Sequence, residues 1–313
     1  MMHLIILCKG KLEEIAVKFN QLKNTTMVAA PPKLKVRNVH FNFDKVPKHW
    51  ILGSSIATNF VNSMHIVFPE GEKFFVRSVR RFAKDVKNEN LKKEINSFCG
   101  QEGVHAREHQ RFWEVMEEQG LKPDWFANFL KNTAFSGKYS YENVSKNLLN
   151  KLQPNLGDKF ALSVTTALEH YTAIMANALF YEPMATNKNI APQMLELLHW
   201  HASEEIEHKA VCFDVLKEVD DSYILRVSGM GMATILLWGY LGIGQIYFIS
   251  QDKDKSIIKM PIETFLLFKT VIFGEIGKNL SKHLLSYFKR DFHPDDIDDR
   301  HLIEKFFKDK SYA

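Results

Sequence analysis

The sequence lacks most of the features that mark common enzyme classes. Only three cysteines occur in 313 residues, Cys8, Cys99 and Cys212. They are odd in number, widely spaced and in no CxxC pair, which excludes a disulfide framework and a structural zinc knuckle and fits a reducing, cytoplasmic setting. No GxSxG, no Walker A loop and no GxGxxG following a strand is present, so a serine-nucleophile elbow and a phosphate-cradling turn drop out. Basic residues exceed acidic ones by only four and are spread along the chain, which leaves no footprint for nucleic acid. The first residues carry a short apolar run at 4–7 with no basic residue before it, too short for a secretory core, and Met27 offers an alternative start.

What the chain does have is helical periodicity. Apolar residues recur at three- and four-residue intervals and strict alternation is rare, so the class is all-α. Residues 1–47, with Pro31, Pro32 and Pro47, read as an extension or arm. A metal-binding helical bundle is expected over 48–220 and further helices over 221–313. Within the bundle the pattern predicts helices at roughly 50–66 and 70–87, divided near Pro69, then at roughly 90–119, 123–132, 141–152, 157–182 and 190–218, with a loop at 183–189. Helices at roughly 260–288 and 297–308 close the chain. Between Val227 and Gln251 no residue is charged. That length spans a bilayer or a buried core equally well, so membrane contact stays open.

The chemistry lies in a Glu-x-x-His motif that occurs twice, as Glu102/His105 and Glu205/His208. Helical residues three apart differ by about 60° in direction, so each motif turns a carboxylate and an imidazole to one face. Two such motifs, with one glutamate from each of two other helices, form the dinuclear carboxylate site of a ferritin-like four-helix bundle. The additional glutamates are Glu72, expected at the start of the helix before the first motif, and Glu169, inside an otherwise uncharged face before the second. Glu70 is an alternative to Glu72. A lone buried histidine or surface glutamate is usually unremarkable, but this chain order is hard to reach by chance. A competing pattern overlaps it. His105, Glu108 and His109 match HxxEH, an inverted zinc-hydrolase signature with Glu108 as general base and Glu169 as a further ligand.

The segments FPEGEKFF, FCGQEGVHAREHQRF, ALEHYTA and HWHASEEIEHKAVCFDV resemble a bacterial family described as predicted metal-dependent hydrolases, from about residue 35 onward. His201, one turn before Glu205, extends the second motif to HxxxExxH and is similar to the third imidazole ligand of the p-aminobenzoate N-oxygenase group. Residue by residue, the resemblance implies Glu72, Glu102, His105, Glu169, His201, Glu205 and His208 as metal ligands. Gln101 and Glu204, each preceding a motif glutamate, are candidates to orient the histidines, as are Asp214, His109 and His170. Gln101 stands where an acidic residue is usual.

The leading expectation is a di-iron oxidoreductase, an oxygenase that activates dioxygen to oxidise an organic, lipophilic small-molecule substrate with help from an electron donor. Manganese or a mixed iron and manganese pair fits the same donors, and zinc fits them less well. Metal-dependent hydrolysis is the alternative, and iron handling in oxidative-stress protection is the third reading. A homo-oligomer is compatible with all three.

Overall fold

The computed structural model of the chain describes residues 34–181 and 188–309. Residues 1–33 of the expected arm and 182–187 of the expected loop lie outside the described residues. Among the described residues the fold is all-α, with no strand; one isolated antiparallel bridge joins Ile51 and Ile190.

Four helices enclose the centre of the molecule. They are α1 (Ser55–Phe82), α2 (Glu89–Glu118), α5 (Leu156–Tyr181) and α6 (Pro192–His208), with the shorter α3 (Pro123–Thr133) and α4 (Tyr141–Leu152) carried on the long connection between α2 and α5. Helix α1 packs against α2 and α5, and α6 packs against α5 and α2, which gives the four-helix bundle with additional helices. Local chemistry starts and stops these helices. Ser54 accepts a hydrogen bond from the Ala57 amide at the head of α1, and Asn88 accepts from the Asn90 and Leu91 amides at the head of α2. Gly120 follows α2 at φ 86°, a backbone region suited to glycine.

The division expected at Pro69 does not occur, because α1 runs through that residue. Proline has no N–H to give the carbonyl four residues back, which here is His65. The Trp113 indole of α2 donates to that carbonyl at 2.8 Å, so the lost bond is replaced from outside the helix. Glu72 consequently sits in the interior of a long helix rather than at the start of a new one.

Two further expected helices are each divided. The segment at 190–218 is α6 followed by α7 (Val211–Val219), and Lys209 in the break is buried, its Nζ donating to Asp299 at 2.5 Å and to the Ile297 carbonyl at 2.6 Å. The segment at 260–288 is α9 (Met260–Phe268), a π-helical turn (Lys269–Phe273) and α10 (Glu275–Ser286); α11 (Arg300–Asp309) follows.

The uncharged stretch lies in α8 (Tyr223–Gln251), whose one charged residue is Arg226 in its first turn and which packs against both α1 and α5. It meets the bundle along Gly229, Met230, Ala233, Leu237, Leu241, Gly244 and Phe248, a stripe with helical spacing. Two glycines on this stripe are there for close approach. A methyl group at Gly244 would sit 2.7 Å from the Phe126 ring, and one at Gly229 would overlap Ser163. Helix α8 is therefore a wall of the bundle with one face left outward.

Before α1, residues 34–50 run without regular structure, yet Leu34, Val39, Phe41, Phe43, Val46 and Trp50 are all buried. This segment is fastened over α2 and α6 by specific polar contacts as well. The Phe41 amide donates to Glu108, and Arg37 reaches Glu204 and Glu207.

Candidate metal centre

All seven residues singled out as ligands lie inside the four-helix core, none more than 5% exposed. Helix α1 carries Glu72, α2 carries Glu102 and His105, α5 carries Glu169, and α6 carries His201, Glu205 and His208. The three-residue spacing puts the carboxylate and imidazole of each motif on the inward face, and the four helices aim them at one point.

Two overlapping halves result. In one, His201 Nε2 lies 2.8 Å from Glu205 Oε1 and 3.7 Å from Glu72, while His105 Nδ1 lies 3.4 Å from Glu205 Oε1 and 3.8 Å from Glu102. In the other, His208 Nε2 lies 3.1 Å from Glu102, 3.4 Å from Glu169 and 3.5 Å from Glu205 Oε2. Glu102 and Glu205 face both halves.

Apart from the His201 Nε2 and Glu205 Oε1 pair, the donor atoms point inward without protein hydrogen bonds. Both oxygens of Glu72, Glu102 and Glu169, together with Glu205 Oε2, His105 Nδ1 and His208 Nε2, are buried and unpartnered. Unpaired buried polar atoms are costly, and so many converging on one point call for a positive ion. Electrostatics agrees. Burial pushes the Glu72 and Glu102 carboxyls well above the usual range, with the charges of neighbouring glutamates adding to the rise at Glu102, and burial lifts Glu169 to about 7. Burial opposes charge on His105 and His208, but the glutamate carboxylates close around them win and raise both well above normal. Glu205, ringed by three imidazoles, is held well below the normal range despite its burial. Carboxylates forced to keep protons are what a cation would relieve. The donor set therefore fits divalent metal, with carboxylate oxygens in the majority.

A second layer sets the histidine tautomers. His105 Nε2 donates to Glu204 at 3.0 Å, which turns Nδ1 to the cluster. His208 Nδ1 donates to the Gln101 side-chain oxygen at 3.1 Å, which turns Nε2 inward. Gln101 thus supplies the acceptor that an acid would supply, and its own amide donates to Glu207 at 3.0 Å. Arg37 ties both glutamates together, giving one bond of 2.9 Å to Glu204 and two of 2.7 Å to Glu207. Sequence reasoning missed Arg37, because nothing in an irregular arm of residues marks one arginine as the clamp on two glutamates of a distant helix. Glu207, lying inside the second motif, was within reach of that reasoning.

His201 Nε2 is hydrogen-bonded to Glu205 Oε1 at 2.8 Å, its Nδ1 pairs with His109 Nε2 at 2.7 Å, and His109 Nδ1 pairs with His65 Nδ1 at 2.7 Å. Burial, with the charge of neighbouring histidines, keeps all three neutral: His201 falls to about 4, His65 to about 3, and His109 well below normal. His109 is thus a neighbour of the cluster, as anticipated, and with Glu72 and His201 it could also hold an ion.

Asp214 and His170 are elsewhere. Asp214 pairs with His293 at 2.9 Å, and His170 bonds the His283 carbonyl at 3.1 Å among Tyr287 and Phe292. Both do ordinary structural work.

The inverted zinc motif does not assemble. Glu108 faces away from the cluster, accepting from Arg107 at 2.9 Å, Arg111 at 2.6 Å and the Phe41 amide at 3.0 Å. A carboxylate so occupied is not available as a general base.

One side of the centre opens into a cavity of about 470 Å³. Its walls come mainly from apolar residues of α1, α5, α6, α9 and the turn after it, with Trp238 from α8, and His201 and Glu205 lie on its lining. The volume is in the range of roughly 300–1,000 Å³ that holds a small organic ligand.

Fold and site together define a helical protein with a buried carboxylate and histidine metal centre at the end of an apolar cavity. The chain belongs to the family described as predicted metal-dependent hydrolase, whose model matches residues 35–298. No curated protein and no solved structure matches it. The family match overturns the leading expectation of an oxygen-activating oxidoreductase and favours the hydrolytic alternative. The reason is chemical: a glutamate and histidine cluster of this kind holds metal for either reaction, so the ligand pattern alone does not choose between them.

Proposed function

We propose that this protein is a hydrolase that works with two metal ions held by Glu72, Glu102, His105, Glu169, His201, Glu205 and His208. The observation that carries this reading is the convergence of unpartnered, buried carboxylate and imidazole atoms at the closed end of a ligand-sized cavity. The oxygen-rich donors suit manganese or iron better than zinc. Such ions, when bound, act as Lewis acids and lower the pKa of water toward about 7.

The chain's own residues do the rest. Glu102 and Glu205 stand between the halves and fix their separation. Glu204 and Gln101 hold His105 and His208 in the tautomers that leave the inward nitrogens free. Phe68, Leu198, Met175 and Trp238 line the cavity and keep bulk water from the centre, and His201 and Glu205 are the residues of the centre that a substrate in the cavity meets.

The test is to prepare the protein with manganese, iron or zinc supplied in turn, measure metal per chain, and assay ester, amide and phosphoester substrates. Two ions per chain with hydrolysis that Glu102→Ala or Glu205→Ala abolishes is the expected result. A single zinc ion whose binding and turnover survive Glu205→Ala would sink the reading.

A further inference from the structure

The roof of the cavity is made of residues that soluble proteins rarely show to water. Along 257–273, Ile257, Ile258, Phe265 and Phe273 are 75%, 92%, 61% and 74% exposed, and none of the residues of α9 is buried. The outward stripe of α8 continues the pattern with Ile235, Ile243 and Ile246 exposed. Trp238, on the same outward side, also lines the cavity with Leu266, Leu267 and Val271. An apolar face of this extent marks an interaction surface.

The charge around it selects the partner. Over 253–273 there are four lysines against two acidic residues. Both acids are engaged: Asp254 pairs with Lys48 at 2.7 Å, and Glu263 accepts from Ser54 Oγ at 2.7 Å and from the Ile56 amide at 3.2 Å. A second copy of this face would bring positive charge against positive charge. A lamellar surface carrying anionic headgroups accepts both the lysines and the isoleucines and phenylalanines between them. Helix α8 does not cross that layer, because its inner stripe, with Gly229 and Gly244 in close approach, is a wall of the bundle.

We propose that the face formed by 257–273 and the outer stripe of α8 docks on an anionic lipid bilayer, setting the cavity over the layer. On the hydrolase reading, on which this last step rests, the substrate class is then an acyl amphiphile whose hydrocarbon part fills the cavity and whose ester or amide carbonyl reaches Glu205 and His201.

The test is flotation of the full chain with vesicles of phosphatidylcholine, with and without phosphatidylglycerol. Binding to the anionic vesicles should fall at least tenfold in the double variant Ile258→Glu, Phe265→Glu and should weaken with added salt. Both side chains face water, so the variant should melt like the parent, which keeps misfolding apart from lost docking. Phosphatidylcholine with brominated chains should quench a fluorescence signal that Trp238→Phe removes. No flotation, flotation unchanged in the double variant, resistance to alkaline extraction as for a spanning helix, or a dimer dissolved by the same variant without lipid binding would each overturn docking. Flotation needs no turnover. Protein that floats but hydrolyses nothing would count against the hydrolase reading and support docking, and protein that hydrolyses soluble esters but never floats would do the reverse.

Discussion

Replacing Arg37 with methionine removes a guanidinium while keeping most of its apolar stem. The arginine is buried and gives three hydrogen bonds of 2.7–2.9 Å to Glu204 and Glu207, so its loss strands two buried carboxylates. Removing one partner of a buried ion pair costs about 3–5 kcal/mol. At roughly 2–4 °C per kcal/mol for a large domain, the midpoint should fall by about 10 °C. The effect should also reach the metal. Glu204 accepts from His105, and Glu207 holds the Gln101 amide whose oxygen accepts from His208, so both imidazoles lose their support. Loss of such outer contacts typically lowers metal affinity ~10–100-fold. Calorimetry with and without excess manganese reads the first effect, and competition against a chelating dye reads the second. Arg37→Lys should recover part of both, since lysine keeps the charge but not the two-pronged geometry. An Arg37→Met protein that melts lower but binds metal as tightly as the parent would refute the link between arm and centre.

Trp113→Phe should cost about 1–3 kcal/mol in chemical denaturation, because the His65 carbonyl freed by Pro69 loses its donor, and a midpoint within error of the parent would contradict the account of the unbroken helix. Glu108→Ala should leave metal content and turnover in place while Glu205→Ala removes both; the reverse pattern in metal analysis and kinetics would revive the inverted zinc motif. Metal-free protein should lose stability as pH rises through about 7. Glu169 is raised to about 7 from its usual value near 4.5, so its contribution is full below 4.5 and lost above 7, and the raised His105 and His208 act in the same direction. Thermal melts of the metal-free form from pH 6.5 to about 9 check the slope, above the range in which the lowered His65, His109 and His201 act in the opposite sense.

The helical class and the two Glu-x-x-His pairs were legible because both rest on local spacing. A three-residue interval fixes two side chains on one face of a helix whatever the tertiary context, and the four residues chosen on that basis lie together in the core with Glu72, Glu169 and His201, which chain order and the family resemblance supplied. What escaped depended on distant partners. Pro69 reads as a boundary until Trp113, 44 residues later in the chain, is seen to donate to the carbonyl that the proline leaves bare. Gln101 reads as a departure until His208 Nδ1 is found on its oxygen. Arg37 carries no signal at all in a segment without periodicity. The reaction class was illegible for another reason, since the donors that suit a dinuclear oxidase also suit a dinuclear hydrolase.

Glu102 and Glu205 belong to neither half of the centre alone. Three imidazoles crowd Glu205, two on one oxygen and one on the other, and Glu102 faces His105 and His208 together. An ion held in either half would order both of these carboxylates, so half of the second site would be arranged before a second ion is bound. Loading should therefore be all-or-none over a narrow span of metal concentration, and a chain with a damaged ligand on one side should be found empty on both. On the two-ion reading, such a centre would respond to the metal supply of its surroundings as a threshold, with little room for a half-active population.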